Sequence, residues 1–218
     1  MADDIDIVRA IARAPLHTVR LRDLKNLGTN TWRAVGRLTE QGALTKIVHG
    51  VYAAPPDGRD GRTWKPPLEA AALAIATARF GARQAALMGV SAARHWAAIP
   101  RAIGVAQVAV PRGGYAPATL DRGGIVRFIP RDLGRLDLVV ERTALGDGMV
   151  TTPAQTLFDL LVRPDHDGLA DEIAGAVRNL VPRVRIAEFE GIAGRHTKRG
   201  AAVEKMIDEL RERDAEAR

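Results

Sequence analysis

Residues 18–42 run TVRLRDLKNLGTNTWRAVGRLTEQG, and the fold turns on how this stretch is read. Thr18 stands as a helix N-cap, with Leu21 and Leu24 as buried positions and Leu27 near the end. Gly28 is the stop, the usual role of a glycine just past a helix. Two residues later a second helix begins, capped by Thr29 or Asn30 and closed by Gly42. Two helices joined by a three- or four-residue turn with a glycine predict a helix-turn-helix. In the second helix Val35, Leu38 and either Thr31 or Ala34 point inward. The opposite stripe holds Trp32, Arg33, Gly36, Arg37 and Glu40. Recognition helices read bases mainly from their N-terminal residues, here Thr31, Trp32 and Arg33. The planar fork of arginine fits a guanine edge or a phosphate. Trp32 equally suits a core or interface position, because exposed Trp is uncommon. Arg33 and Arg37 also suit a plain solvated face.

Upstream, Ile5, Val8, Ile11 and Ala12 recur at helical spacing, which predicts a helix over 4–13 that Pro15 ends. Downstream, Leu44, Lys46, Val48, Val51 and Tyr52 flank His49-Gly50, a β-hairpin with a short glycine turn. A hairpin after a helix-turn-helix is a wing, and Lys46 and His49 sit where a wing touches phosphate. The candidate DNA contacts are Thr18, Arg20, Arg22, Thr31, Trp32, Arg33, Arg37, Lys46 and His49.

Charge sharpens this reading. The 218 residues carry 32 Lys+Arg against 26 Asp+Glu, a net charge of +6. Residues 13–54 hold seven bases (Arg13, Arg20, Arg22, Lys25, Arg33, Arg37, Lys46) and two acids (Asp23, Glu40), a net of +5. A basic patch confined to one module is the footprint of a polyanion partner. The chain has no cysteine, which excludes disulfide scaffolds, thiol nucleophiles and cysteine metal sites, and fits a reducing compartment. The start, Met-Ala-Asp-Asp-Ile-Asp, is no secretory signal. The most apolar region, 68–90, is broken by Arg79, Phe80-Gly81 and Arg83, so no membrane span is expected. The expected location is cytoplasmic.

Pro55 to Pro67 holds four prolines and two glycines and reads as a linker, with Trp64 anchoring its end. Beyond it, 68–80 and 84–98 read as Ala-rich helices, the first apolar almost all round and therefore buried. Residues 105–110, 124–129 and 136–140 read as strands, Gly146-Asp147-Gly148 as a turn, and 149–151 as a last short strand. Thr152 caps a helix with Pro153 at its first position and Gln155 completing a capping box. Residues 169–180 form another helix. Val203, Met206, Ile207 and Leu210 make an amphipathic tail helix that frays from Arg211. The expected fold class is α+β: a winged helix-turn-helix domain over 1–54, a linker over 55–67, and a mixed α/β C-terminal domain over 68–218.

No catalytic constellation is legible. Asp137 and Glu141 share a strand face, but no Glu/Asp-x-Lys follows them. The glycines at 113–114 and 123–124 lack the Lys-Ser/Thr of a phosphate-binding loop. His166 lies between two aspartates in what reads as a polar loop. The five histidines have no ligand spacing. No cofactor, no metal and no enzymatic activity are expected.

Leu16-His17-Thr18, Gly28, Leu38-Thr39-Glu40-Gln41-Gly42-Ala43-Leu44 and His49-Gly50-Val51-Tyr52-Ala53 together resemble the N-terminal winged helix of the AbiEi family of antitoxins, from type IV toxin–antitoxin systems. Gly89-Val90-Ser91-Ala92-Ala93-Arg94 and Thr151-Thr152-Pro153-Ala154-Gln155-Thr156-Leu157-Phe158-Asp159 resemble its second domain. The likeness spans about residues 1–180. Position 155 is Gln where relatives often have Arg, so a role tied to that arginine does not transfer. The resemblance implies an antitoxin that represses its own operon through operator DNA with inverted repeats and counters a cognate nucleotidyltransferase toxin. Dimerisation, or two molecules on repeated half-sites, would raise affinity for the operator. The alternative is a ligand-responsive winged-helix regulator without a toxin partner, its second domain a sensor.

Overall fold

The structure, a computed structural model, describes residues 4–28, 30–56, 59–121, 123–163, 168–197 and 199–216. Helix α1 (Asp4–Arg13) buries Ile7 and Ile11. Ile5 and Ala12, expected on the buried face, are exposed instead. The apolar stripe starts at Ile7, with Val8 at its margin. Pro15–His17 then form a 3-10 turn in which Leu16 (φ 52) and His17 (φ 48) are left-handed. That turn throws the chain into extended backbone, so Thr18 begins a strand, β1 (Thr18–Arg20), and caps no helix. Leu21–Leu27 follow as a 3-10 helix that buries Leu24. Helix α2 (Thr31–Glu40) buries Thr31, Val35 and Leu38. Asn30 stands at its N-cap without a side-chain hydrogen bond. The other expected cap, Thr29, lies outside the described residues, as does His166.

Strands β2 (Thr45–Val48) and β3 (Val51–Ala53) form the expected hairpin around His49-Gly50. The left-handed φ of 74° at Gly50 is one that glycine takes without steric cost. Strand β1 adds to the free edge of β3, giving an antiparallel sheet in the order β1-β3-β2. Its two faces bury different residues. Val19 and Tyr52 pack with α1 and α2 around Ile7, Ile11, Val35 and Leu38. Ile47, Val51 and Ala53 join a second cluster with α3 (Leu68–Phe80). Period-2 alternation allows this double use.

Helix α3 is buried from Ala70 through Thr77. The small sheet covers one side of it and a six-stranded sheet the other, so a helix with no polar face is stable there. The larger sheet comprises β4 (Ala86–Leu87), β5 (Val105–Val110), β6 (Ala118–Thr119), β7 (Ile125–Pro130), β8 (Leu138–Thr143) and β9 (Gly146–Thr151). Its order is β6-β7-β5-β4-β9-β8. The pairs β5/β7 and β4/β9 are parallel and the rest antiparallel. Two corrections fall here. The expected helix over 84–98 is strand β4 followed by α4 (Gly89–His95). Gly146-Asp147-Gly148 belongs to β9, and the β8–β9 turn is Ala144-Leu145.

Helix α5 (Pro153–Val162) starts at the expected cap, with Thr152 Oγ1 accepting from the Gln155 N–H at 3.2 Å. Gln155 does not complete the expected capping box, because the Thr152 N–H donates to Asp137 O and the Gln155 side chain bonds Asp137 and Asp159. Helices α6 (Ala170–Leu180), α7 (Ile186–Ala193) and α8 (Ala201–Glu216) pack with α4 and α5 in a third apolar cluster. The tail does not fray at Arg211. Arg211 pairs with Glu190 at 2.5 Å, and Arg213 donates to Val184 O at 2.6 Å.

The Pro/Gly-rich segment is not a free tether. Gly61 N–H donates to Gly42 O (2.8 Å), and Lys65 Nζ donates to Thr45 Oγ1 (2.5 Å). Trp64 packs on the α3 cluster. Apolar burial therefore runs from the hairpin into α3 without a break at residues 59–67. A Cβ at Gly61 would lie 2.3 Å from Leu44 O, and a backbone atom there cannot step aside. Gly61→Ala should destabilise the fold by at least about 1 kcal/mol, read as a lower midpoint in urea at unchanged m-value.

Candidate functional site

The 3-10 helix, the N-terminus of α2 and the β2–β3 turn open onto one groove of about 1020 Å³. The end of α3 and the loop after β5 close its far side. Arg20, Arg22, Lys25, Arg79 and Arg112 line it with His49, and among the described residues no carboxylate does. Trp32 and Tyr115 supply aromatic surface.

Each wall has a local cause. Trp32, at the second position of α2, is 60% exposed because Thr31, Val35 and Leu38 take the buried face. The Arg33 guanidinium stacks over its ring at 5.1 Å from the centroid. Arg20 is held by a two-point contact with Asp23 (2.6 and 2.9 Å) and reaches Arg79 O at 3.4 Å. Arg79 lies over the Phe128 ring at 4.9 Å, and Tyr115 meets Phe80 edge-on at 4.9 Å. Burial lowers the Arg79 pKa from the usual guanidinium value; Tyr115 opposes this, and repulsion from Arg20 and from Arg22 adds lesser effects in the same direction as burial. Asp23 compensates Arg20, but Arg79 and Arg112 have no carboxylate partner among the described residues, an arrangement that an anion relieves.

The nine sequence-derived candidates divide. Arg20, Arg22, Thr31, Trp32 and His49 line the groove, and Arg33 reaches it through the Trp32 ring. Thr18 does not belong: it is buried, and its hydroxyl donates to Leu16 O at 2.7 Å. Thr31 is at the wall, but its side chain is 7% exposed and its hydroxyl donates to Gly28 O at 2.8 Å, so it shapes the helix start and reads nothing. Arg37 points away and ties α2 to α1 through Asp4 at 2.6 Å. Lys46 lies on the other side of the hairpin, paired with Asp121 at 3.1 Å. Lys25, Arg79, Arg112 and Tyr115 were not anticipated. Lys25 stood within the basic stretch; the other three reach the groove only through the tertiary fold.

A second cavity, of about 400 Å³, lies between α4, α5, the middle of β5 and the end of β7. Asp159 is in its wall. Burial raises that carboxyl from its usual value to about 6, against opposing effects of Gln155, Arg131, Arg163 and the Gly89 N–H. Among the described residues no three His, Asp or Glu side chains are grouped to hold a metal ion, and no helix is long and apolar enough to cross a membrane.

The fold is similar to that of the Rv2827c protein from Mycobacterium tuberculosis, with a TM-score of 0.61 and 20% sequence identity. The match covers 94% of this chain and 74% of that one. At this identity the likeness carries the mixed α+β fold alone. No family model matches the sequence, and no curated protein matches it.

Proposed function

We propose that the first fifty-four residues are a winged helix-turn-helix and that the chain is a DNA-binding repressor of the AbiEi antitoxin type. The groove carries this reading: five cations, two aromatic faces and, among the described residues, no carboxylate, at the N-terminus of α2 and the tip of the hairpin. Duplex DNA pays for such a surface in counterion release. In this reading the groove seats one sugar–phosphate strand, and the Trp32–Arg33 pair faces base edges in the major groove. The antitoxin half rests on the motifs around Gly89 and Thr151–Asp159.

Two experiments test the two halves. The full chain should shift duplex DNA holding inverted repeats from upstream of its own gene, with affinity falling steeply as salt rises. Arg33→Ala should cost roughly 1–3 kcal/mol of specific binding. Equal affinity for the repeats and for scrambled DNA would remove the repressor reading. For the antitoxin half, an adjacent nucleotidyltransferase gene should be toxic alone and tolerated with this chain; toxicity unchanged by co-expression rejects it. The alternative, a ligand-responsive regulator, is favoured by one observation, the cavity beside Asp159.

A further inference from the structure

The second cavity is built of polar groups that the fold itself leaves unmatched. Gln107 is in the middle of β5 and 5% exposed. Its main-chain N–H donates to Ser91 Oγ at 2.7 Å, but its side-chain Nε2 is buried with no partner. Asp159 Oδ1 accepts from Gln155 Nε2 at 3.0 Å, while Oδ2 is buried and has none. Gln155 is committed at both ends, since its Oε1 accepts from the Asp137 N–H at 3.3 Å. A native interior pairs nearly all such atoms, so a free donor and a free acceptor in one cavity wall call for an explanation.

Both groups flank Gly89. A Cβ at that position would lie 2.2 Å from Gln107 Oε1, and the φ of +53° also favours glycine. The Gly89 N–H supports the Asp159 charge. A donor beside an acceptor is the complement of a nucleobase edge, where an N–H lies next to a ring nitrogen or a carbonyl.

The rest of the cavity fits the rest of a nucleotide. Burial lowers the Arg131 pKa from the usual guanidinium value, repulsion from Arg163 lowers it further, and the Asp159 carboxyl opposes both. Neither pairs with a carboxylate among the described residues, and Arg135 stands beside them. Asp132, the other acid in the wall, accepts from the Gly134 N–H at 3.1 Å. His196 stacks on Phe158 with ring centroids 4.5 Å apart and 29° between planes, giving a flat surface. The 400 Å³ volume is that of a small-ligand site.

We propose that this cavity binds a nucleoside monophosphate, its base edge on Gln107 and Asp159 and its phosphate on Arg131 and Arg163. The site is separate from the basic groove and independent of the DNA reading. Isothermal titration of the full chain with AMP, GMP, CMP, UMP and inorganic phosphate tests it. At least one nucleotide should bind ten times more tightly than phosphate. Gln107→Leu should bring that nucleotide down to the level of phosphate without lowering the thermal midpoint, since it removes an unpartnered amide. Arg163→Ala, at an exposed position, should weaken it about tenfold. Arg22→Glu with Arg112→Glu, in the other groove, should leave it unchanged. No nucleotide tighter than phosphate, full binding by Gln107→Leu, or loss only on changing the basic groove would each overturn the assignment.

Discussion

Replacing Arg22 and Arg112 together by glutamate should lower affinity for the operator duplex by roughly two to three orders of magnitude at about 0.1 M salt. The two side chains face one groove from opposite walls, one from the 3-10 helix and one from the loop after β5. Arg112 has no carboxylate partner among the described residues, and Arg22 only a loose contact with Asp23 at 4.0 Å. Each is free to give its charge to a phosphate. Each reversal removes one contact and sets a like charge against the strand. The slope of log affinity against log salt should flatten by about 2, one for each lost contact. The control is an equal reversal elsewhere, Arg185→Glu with Lys205→Glu, on α7's N-terminal flank and on α8. Charges farther away than a Debye length of about 10 Å are largely screened. That control should stay within about threefold of the parent. Equal losses in the two pairs would mean that net charge alone drives binding, and would withdraw the groove as the interface.

The groove also shows why its near wall was legible in the sequence and its far wall was not. Trp32, Arg22 and His49 belong to local patterns: a 3.6-residue period, a glycine stop and a glycine hairpin. Arg79 stood out only as a charge that broke the apolar run of α3. Arg112 lay in a Pro-Arg-Gly-Gly turn that gave no direction. Both reach the groove because α3 is clamped between two sheets and β5 runs through the middle of the larger one. Long-range placement of that kind leaves no trace in a window of ten or fifteen residues.

The fold errors have equally local causes. The helix expected from Thr18 fails because Leu16 and His17 are left-handed, which is uncommon outside glycine, asparagine, aspartate and histidine, and at Leu16 carries no sequence mark. Strand β4 was absorbed into a helix because Ala85-Ala86-Leu87-Met88 is apolar without a period, and a short buried strand cannot be told from buried helix on that basis. Arg37 and Lys46 were on the right elements, but acids distant in sequence, Asp4 and Asp121, claim them. Gln155, legible as a capping-box residue, and Asp159, legible only within a family motif, form with Gln107 a polar wall that no spacing rule links across fifty residues.

Asp159→Asn should make the protein more stable at pH 7.5, by about 1–3 kcal/mol, and leave it no more stable than the parent near pH 3.5. The folded-state carboxyl is raised to about 6, first by burial, while Gln155, Arg131, Arg163 and the Gly89 N–H oppose the rise. In the unfolded chain the same group titrates near the ordinary aspartate value of about 3.9. Below both values it is neutral in both states and costs nothing. Between them, folding must keep or take up a proton that the unfolded chain releases, so the favourable contribution shrinks as pH rises. Above about 6 the folded protein holds an ionised carboxylate with one buried oxygen unmatched, and the full penalty is present. Asparagine keeps the acceptor that Gln155 Nε2 uses at 3.0 Å and removes the charge. Urea unfolding of both proteins across pH 3.5–8 should therefore give curves that separate through pH 4–6 and then run parallel. A stability difference that does not change with pH would show that the substitution acts through packing. A fold that tolerates such a penalty at neutral pH retains it where a ligand can offset it, and an N–H donor reaching Asp159 Oδ2 would do so. A nucleotide that binds this cavity should accordingly stabilise the parent at pH 7.5 by more than it stabilises Asp159→Asn.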